Sequence, residues 1–278
     1  MKIIENQSFD AERALYEHSD LLVKNCRFEG EADGESALKE CAKIVVENSF
    51  FDLRYPFWHD DELKISGSEM TENCRAALWY SRKISISDTK MHGIKALREC
   101  EDIEIDGCDI VSPEFGWSSK NIKMTNTTAK SEYFMMRAEN IEFKNVDFSG
   151  KYSFQYIKNA VFDNCKFDTK DAFWHAENVI VRNSVVKGEY LAWYSDKLTL
   201  ENCVIIGTQP LCYCKNLKIV NCEMHEADLA FEKSEVNAEI TTPVISIKNP
   251  ISGRICVPSV GEIIRSDERY KGEIEIKG

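Results

Sequence analysis

The chain repeats itself with a period of 19 residues. Aligned on the start of each short strand-like run, the repeats begin at Lys2, Leu21, Ile44, Leu63, Ile84, Ile103, Ile122, Ile141, Ala160, Val179, Leu198, Leu217 and Val236. Ten of the twelve intervals are 19 residues, and the other two are 23 and 21. A fixed period near 20 means one structural unit stacked on copies of itself, each touching only its neighbours, so the ordinary size limit of a single globular core does not apply. The expectation is one elongated domain.

Alternation within the type unit Ile141-Glu142-Phe143-Lys144 puts apolar and charged residues on opposite faces, as in a strand buried on one side. The fifth position is Asn at 6, 25, 48, 126, 145, 164, 183, 202 and 221, with Gly67, Asp88 and Gly107 in the gaps. These residues tolerate the left-handed backbone of a tight bend between two short strands. The next column is small and slightly polar (Cys26, Ser49, Ser68, Thr89, Cys108, Cys165, Ser184, Cys203, Cys222), and two positions later runs an apolar ladder through Phe28, Phe51, Met70, Phe148 and Phe167. Five of the eleven cysteines lie in the small column, and Cys41, Cys100 and Cys214 share a second one. Their placement reads as small buried residues with reduced thiols, which suits a cytoplasmic protein. Cys212 and Cys214 beside Cys203 and Cys222 suggest a thiolate metal site, but same-column residues stack in line and do not converge on a tetrahedron. No metal or cofactor is expected.

A third strand is expected in the second half of each unit, as in Ala77-Leu78-Trp79-Tyr80-Ser81 and Leu191-Ala192-Trp193-Tyr194-Ser195. All five tryptophans, at 58, 79, 117, 174 and 193, share one column. Tyrosines and charges collect three residues before it (Tyr55, Tyr133, Tyr152, Asp171, Tyr190) and one after it (His59, Tyr80, Glu99, Arg137, Tyr156, His175, Tyr194, Tyr213). Period-two alternation then predicts that the Trp column points inward. It also puts outward the apolar column just before it, formed by Phe57, Leu78, Leu97, Met135, Phe154, Phe173 and Leu211. Arg98 and Gln155 in the Trp column count against this phase. In either phase one face shows an aromatic and apolar stripe, of the kind that marks a ligand, a partner or an oligomer interface.

Three short strands per coil around an Asn-lined bend describe an all-β, single-stranded right-handed parallel β-helix of about 12 coils over 1–236. A left-handed hexapeptide helix needs coils of 18, and a leucine-rich repeat needs extra leucines that are absent here. Beyond Val236 the period fails and prolines enter at 243, 250 and 258, so 237–278 is expected to be a C-terminal cap and tail over the last open strand edge.

With its Asn ladder, its Ala-Phe/Leu-Trp-His/Tyr strand and the later segment Ile247-Lys248-Asn249-Pro250, the chain resembles the pectin-lyase-like superfamily over nearly its whole length. Within it, the chain resembles a bacterial family of small β-helices known only as a domain of unknown function. That resemblance implies a sugar groove along the Trp-bearing strand. The expected ligand-binding residues are His59, Tyr80, Arg137, Tyr152, Tyr156, His175, Tyr190, Tyr194 and Tyr213. The catalytic residues of the superfamily have no convincing counterpart: there is no Gly-His-Gly, and Asp60-Asp61 at a coil corner is a two-residue match among 47 acidic residues. Glycoside hydrolysis asks for two carboxyls about 5 to 9.5 Å apart, for which Asp171 and another outward acid on a neighbouring coil are candidates. The insertion Glu29–Glu35 reads as a calcium loop or as a solvated acidic turn.

A net charge of −12 opposes nucleic acid, and no stretch reaches the roughly 20 apolar residues of a membrane span. The opening residues already belong to the first repeat and lack the features of a secretory signal. Three readings stand in competition: non-catalytic carbohydrate binding along the aromatic face, a structural module whose stripe joins copies of the chain, and a lyase or hydrolase of acidic polysaccharide.

Overall fold

The computed structural model describes residues 1–277, which form two compact units, Met1–Glu142 and Phe143–Gly278. Each is a parallel β-solenoid, and no α-helix occurs among the described residues.

In the first unit the strand pairs reproduce the sequence alignment rung by rung. Lys2 pairs with Leu21, Leu21 with Ile44, Ile44 with Leu63, Leu63 with Ile84, Ile84 with Ile103 and Ile103 with Ile122. The extra residues of the 23- and 21-residue intervals are therefore absorbed in the corners, because a register slip would turn Ile44 and Leu63, both buried, toward water. A second sheet of shorter strands carries the apolar ladder, where Phe28 and Phe51 stack with centroids 4.6 Å apart. Between the two sheets the bend residues Asn6, Asn25, Asn48, Asp88 and Asn126 all take positive φ, near 50°.

The second unit continues the pattern with Ala160 on Val179, Val179 on Leu198 and Leu217 on Val236. Its bends are Asn145, Asn164, Asn183, Asn202 and Asn221, again left-handed. Their side chains link coil to coil: Asn164 Nδ2 donates to Asn145 Oδ1 at 2.8 Å, and Asn221 does the same to Asn202 at 2.8 Å. The segment expected as a cap and tail carries further parallel rungs, with Ala238 on Ile255, Ile255 on Ile274 and Val244 on Val260.

The small column has a hydrogen-bonding reason. The backbone N–H of most members donates to the side chain one coil on, as Cys26 does to Ser49 Oγ at 3.1 Å and Cys165 to Ser184 Oγ at 2.9 Å. The side chain in turn donates to a carbonyl two residues back, as Ser49 does to Glu47 O at 2.9 Å. Ser, Thr and Cys are the side chains short enough to do both inside a coil. All eleven cysteines are buried and free. Burial pushes the thiols of Cys41 and Cys100 up to about 12, so they are poor nucleophiles and poor ligands.

A second left-handed column escaped the sequence reading. From Leu21 to Leu217 the residue just before each repeat start, including Asp20, Asp102, Asn121, Asn159, Asn178 and Asn216, also has positive φ. It forms its own amide ladder, with Asn140 Nδ2 on Asn121 Oδ1 at 2.9 Å and Asn178 Nδ2 on Asn159 Oδ1 at 2.8 Å. Its signal was the Asn and Asp excess, diluted by Lys43, Lys83 and Lys197, which hold the same backbone.

Candidate functional site

The wall expected to be a third sheet is where the structure departs most from expectation. In the first unit it is reduced to two-residue strands, Phe57–Trp58, Leu78–Trp79 and Leu97–Arg98, paired side by side. In the second unit the corresponding segments around Phe154, Phe173 and Ala192 are turns. The inward Trp phase is also overturned. Phe57, Leu78, Leu97, Met135, Phe154, Phe173 and Leu211 are fully buried, and the tryptophans lie half-buried on the outside.

Both the Trp and the residue after it face outward because that residue is left-handed, with φ of 58° at His59 and Tyr80, 59° at Tyr156 and 63° at Tyr194. Period-two alternation holds only for extended backbone, so one αL residue resets it.

Each indole is fastened by its N–H. Trp79 Nε1 donates to Lys95 O at 2.8 Å, Trp174 to Tyr190 O at 2.7 Å and Trp193 to Gln209 O at 2.8 Å, in each case a carbonyl 16 residues on. The two exceptions in the column now make sense. Gln155 Nε2 donates to Asp171 O at 3.0 Å, also 16 residues on, so the amide does the work of the indole N–H. Arg98 places its guanidinium 5.1 Å from the Trp79 ring centroid and 5.5 Å from that of Trp117, continuing the stack as a cation between two rings. Trp58 and Trp79 stack at 5.2 Å, and Trp174 and Trp193 at 5.4 Å.

Of the nine expected ligand residues, the second unit brings six to one face. Tyr156, His175, Tyr194 and Tyr213 form a continuous ladder with centroid spacings of 4.9, 5.0 and 4.8 Å and nearly parallel planes. Tyr156 and Tyr194 are among the most exposed large side chains, at 45% and 48%. Tyr190 packs edge-on to Trp193 at 5.2 Å beneath Lys170, and Tyr152 holds the equivalent position on its own coil. The ladder rings cover one another's faces, so what they offer outward is ring edge and hydroxyl. The first unit keeps His59 stacked on Tyr80 at 4.9 Å, and Arg137 occupies the same left-handed column there.

The acids singled out from the sequence are not an outward pair. Asp171 is 6% exposed and its carboxyl is held above the usual range by burial. Asp60 is 1% exposed, and burial pushes it up to about 8. It sits in the small column of Cys41, Ser81 and Cys100, where its Oδ1 accepts the Cys41 N–H at 2.8 Å as a serine hydroxyl would, while Oδ2 is buried without a hydrogen-bond partner. The Glu29–Glu35 insertion is an ion-paired turn: Arg54 meets Asp33 at 2.9 Å and Glu35 at 3.4 Å, and Arg27 pairs with Glu29.

Both departures from the period converge on one cavity of about 470 Å³. Gly30 and Asp33 come from the first insertion, Glu72, Asn73 and Arg75 from the second, and Arg54 lies between. A second cavity, of about 440 Å³, lies at the corner near Asp60. No group of three His, Cys, Asp or Glu among the described residues is placed to hold a metal ion.

No curated protein matches the chain. Among solved structures, the surface adhesin PfbA of Streptococcus pneumoniae is similar at 7% identity and a TM-score of 0.42, covering 87% of this chain and 83% of that one. A tailspike double mutant of E. coli bacteriophage HK620 is similar at 10% identity and a TM-score of 0.48, covering 96% and 72%. The same phage's tailspike in complex with a pentasaccharide is similar at 9% and 0.42, covering 94% and 67%. Identities this low say nothing of a shared ligand. Residues 2–277 match the family described as protein of unknown function (DUF3737), and the chain belongs to that family.

Proposed function

We propose that the protein binds an extended carbohydrate without cleaving it, along the ring ladder of the second unit. The observation that carries this reading is the row Tyr156, His175, Tyr194 and Tyr213, which offers polar ring edges at steps of 4.8 to 5.0 Å on an exposed face. A repeating hydroxyl-rich ligand lying along the stack meets the same chemistry at each coil. Contact is by edge and hydroxyl, since the faces are already stacked on one another. Cleavage has less support: the acids the sequence put forward, Asp60 and Asp171, are both buried and are not presented as an outward pair.

The test is a glycan array with wild type and a Tyr194→Phe, Tyr213→Phe double variant, run beside light scattering. Phenylalanine keeps the stack and removes the hydroxyls; at Tyr213 it also removes the bond that hydroxyl donates to Glu232 Oε2 at 3.4 Å, so circular dichroism checks the fold. Saturable binding that weakens by about fivefold per hydroxyl supports the reading. Absence of binding across the array, with a dimer mass by scattering, overturns it in favour of an interface between copies of the chain. Release of reducing or unsaturated sugar by the wild type overturns the non-catalytic part.

A further inference from the structure

We infer that the ring ladder of the second unit takes an extended, neutral, β-1,4-linked glycan, one sugar to a coil. This rests on the carbohydrate reading above and adds to it the linkage and the charge. The row is straight: the planes of Tyr156 and His175 lie 5° apart, those of His175 and Tyr194 8° and those of Tyr194 and Tyr213 11°, at steps of 4.9, 5.0 and 4.8 Å. It is not uniform, however. A coil with two tyrosines on this face, Tyr152 and Tyr156, is followed by one with the buried Asp171 and the exposed His175, and then by one with Tyr190 and Tyr194. On the fourth coil Gln209 takes the place of Tyr190, and Tyr213 is half-buried with its hydroxyl donating to Glu232 Oε2 at 3.4 Å. The two most exposed tyrosines of the ladder, Tyr156 and Tyr194, are therefore two coils apart, and the face repeats at every second coil.

A two-coil repeat on a straight row selects the linkage. Where both glycosidic bonds leave the sugar ring equatorially, as in a β-1,4-linked chain of gluco or manno configuration, the chain is extended and each sugar advances by close to one coil spacing. Successive sugars also turn over, so every second one presents the same edge. Tyr156 and Tyr194 then meet the same edge of alternate sugars, and His175 meets the opposite edge of the sugar between them; hydroxyl and imidazole both donate and accept, as sugar hydroxyls do. Chains linked α-1,4 or β-1,3 coil, and lose step with a straight row within a few sugars. The charge of the ligand follows from the rims. Lys158 faces Glu177 at 3.7 Å and Lys170 faces Glu189 at 3.0 Å, so these lysines beside the ladder already have carboxylate partners. A polyanion would have to displace Glu177 and Glu189 to reach them, whereas a neutral chain leaves both pairs intact. The shared chemistry is a neutral β-1,4 backbone, and three sources carry it: a glucan, a mannan or a polymer of N-acetylglucosamine.

The test is isothermal titration of the full chain with cellohexaose, mannohexaose and the hexamer of N-acetylglucosamine, set against maltohexaose, laminarihexaose and a galacturonate hexamer. One saturable site is expected for at least one of the first three, about tenfold or more tighter than for any of the others, and the arm that binds tells the sources apart. Within that series affinity is expected to rise from the disaccharide to the tetrasaccharide and then level off, because the ladder is four rings long. Tyr156→Phe with Tyr194→Phe, whose fold circular dichroism checks, is expected to weaken the hexamer about tenfold. Binding of maltohexaose, laminarihexaose or the galacturonate hexamer as tight as that of the β-1,4 hexamers, and lost in the double variant, overturns the linkage or the charge and leaves the carbohydrate reading intact. A disaccharide that binds as tightly as its hexamer, or a folded double variant that binds as tightly as the wild type, overturns the placement along the ladder. Silence from all six hexamers overturns the inference outright, and the glycan array then decides the broader reading on its own.

Discussion

The two units build the same coil from the same columns and differ in one wall. In Met1–Glu142 that wall pairs short strands through Phe57–Trp58, Leu78–Trp79 and Leu97–Arg98, and both of the enlarged coils open a cavity beside it. In Phe143–Gly278 the same wall is a run of turns in which alternate residues are left-handed, as at Tyr190, Ala192 and Tyr194, and the aromatic side chains stack in ladders. Paired strands hold a wall through backbone hydrogen bonds along its length. The turns keep as many coil-to-coil bonds and reverse the middle one: Phe57 N–H reaches Ala77 O on the next coil, whereas Phe173 N–H reaches Ser153 O and Ala192 N–H reaches Ala172 O on the preceding coil, and indole and amide N–H groups clamp both walls to carbonyls 16 residues away. Charge follows the same division: the orphaned acid Asp60 lies in the first unit, while the equivalent column of the second unit holds Ala176, Ser195 and Cys214.

The largest expected effect tests the close approach of turns in the second unit. A Cβ on Gly188, at φ 148°, would lie 1.7 Å from Thr169 O, whereas on Gly93, at the same repeat position in the first unit, the nearest atom is Cys74 O at 2.7 Å. Gly188→Ala is expected to cost about 4 kcal/mol and Gly93→Ala about 2 kcal/mol in urea unfolding. Equal costs would erase the difference between the walls.

Next comes Asp60, whose carboxyl is held up to about 8 against the model-peptide value near 3.8. The neutral form is favoured in the fold, so stability is full below about pH 4, falls as the unfolded chain ionises, and levels off once pH passes the folded value. Asp60→Ser, the residue its column already uses at Ser81, is expected to stabilise the first unit by about 3 kcal/mol at pH 8 and by nothing at pH 3.5. Thermal melts of both proteins across that range check this, and a constant difference would show that Asp60 is not neutral in the fold.

The N–H clamps rank third. Gln155→Leu leaves Asp171 O without its donor and is expected to cost about 1–2 kcal/mol, while Gln155→Trp restores the donor and most of the stability. If Trp and Leu behave alike, the column is selected for bulk and not for its N–H. The smallest effect is expected at Cys165→Ser, within about 0.5 kcal/mol, because Ser49 and Ser68 already fill that column in the first unit with the same hydrogen bonds. A larger loss would mean that the two units need different side chains in a shared column.

Much of this molecule was legible before any coordinate. The starts Ile44, Leu63, Ile84 and Ile103 are the paired residues of the long sheet, and the Asn column is the left-handed bend. The Trp phase was not legible, because alternation was carried through His59, Tyr80 and Tyr194 as though they were extended. Tyrosine and histidine carry no local mark of a left-handed backbone of the kind Asn and Gly do. The carbonyl partners of Gln155 and Trp193 were hidden for a related reason: a column lists which residues stack, not which atom on the next coil each one reaches. The convergence of the two insertions on a single cavity was likewise invisible, since their spacing in the chain does not say which corner each one fills.

The sequence by itself determined the coil, its register and its buried ladders, because with a period of 19 residues a slip of one residue would turn whole apolar columns toward water. Tertiary structure alone decided which way the aromatic columns face and where one oxygen of a buried carboxyl is left without a partner. Those outcomes depend on backbone handedness at single residues and on atoms a whole coil apart, and neither is written in a repeat.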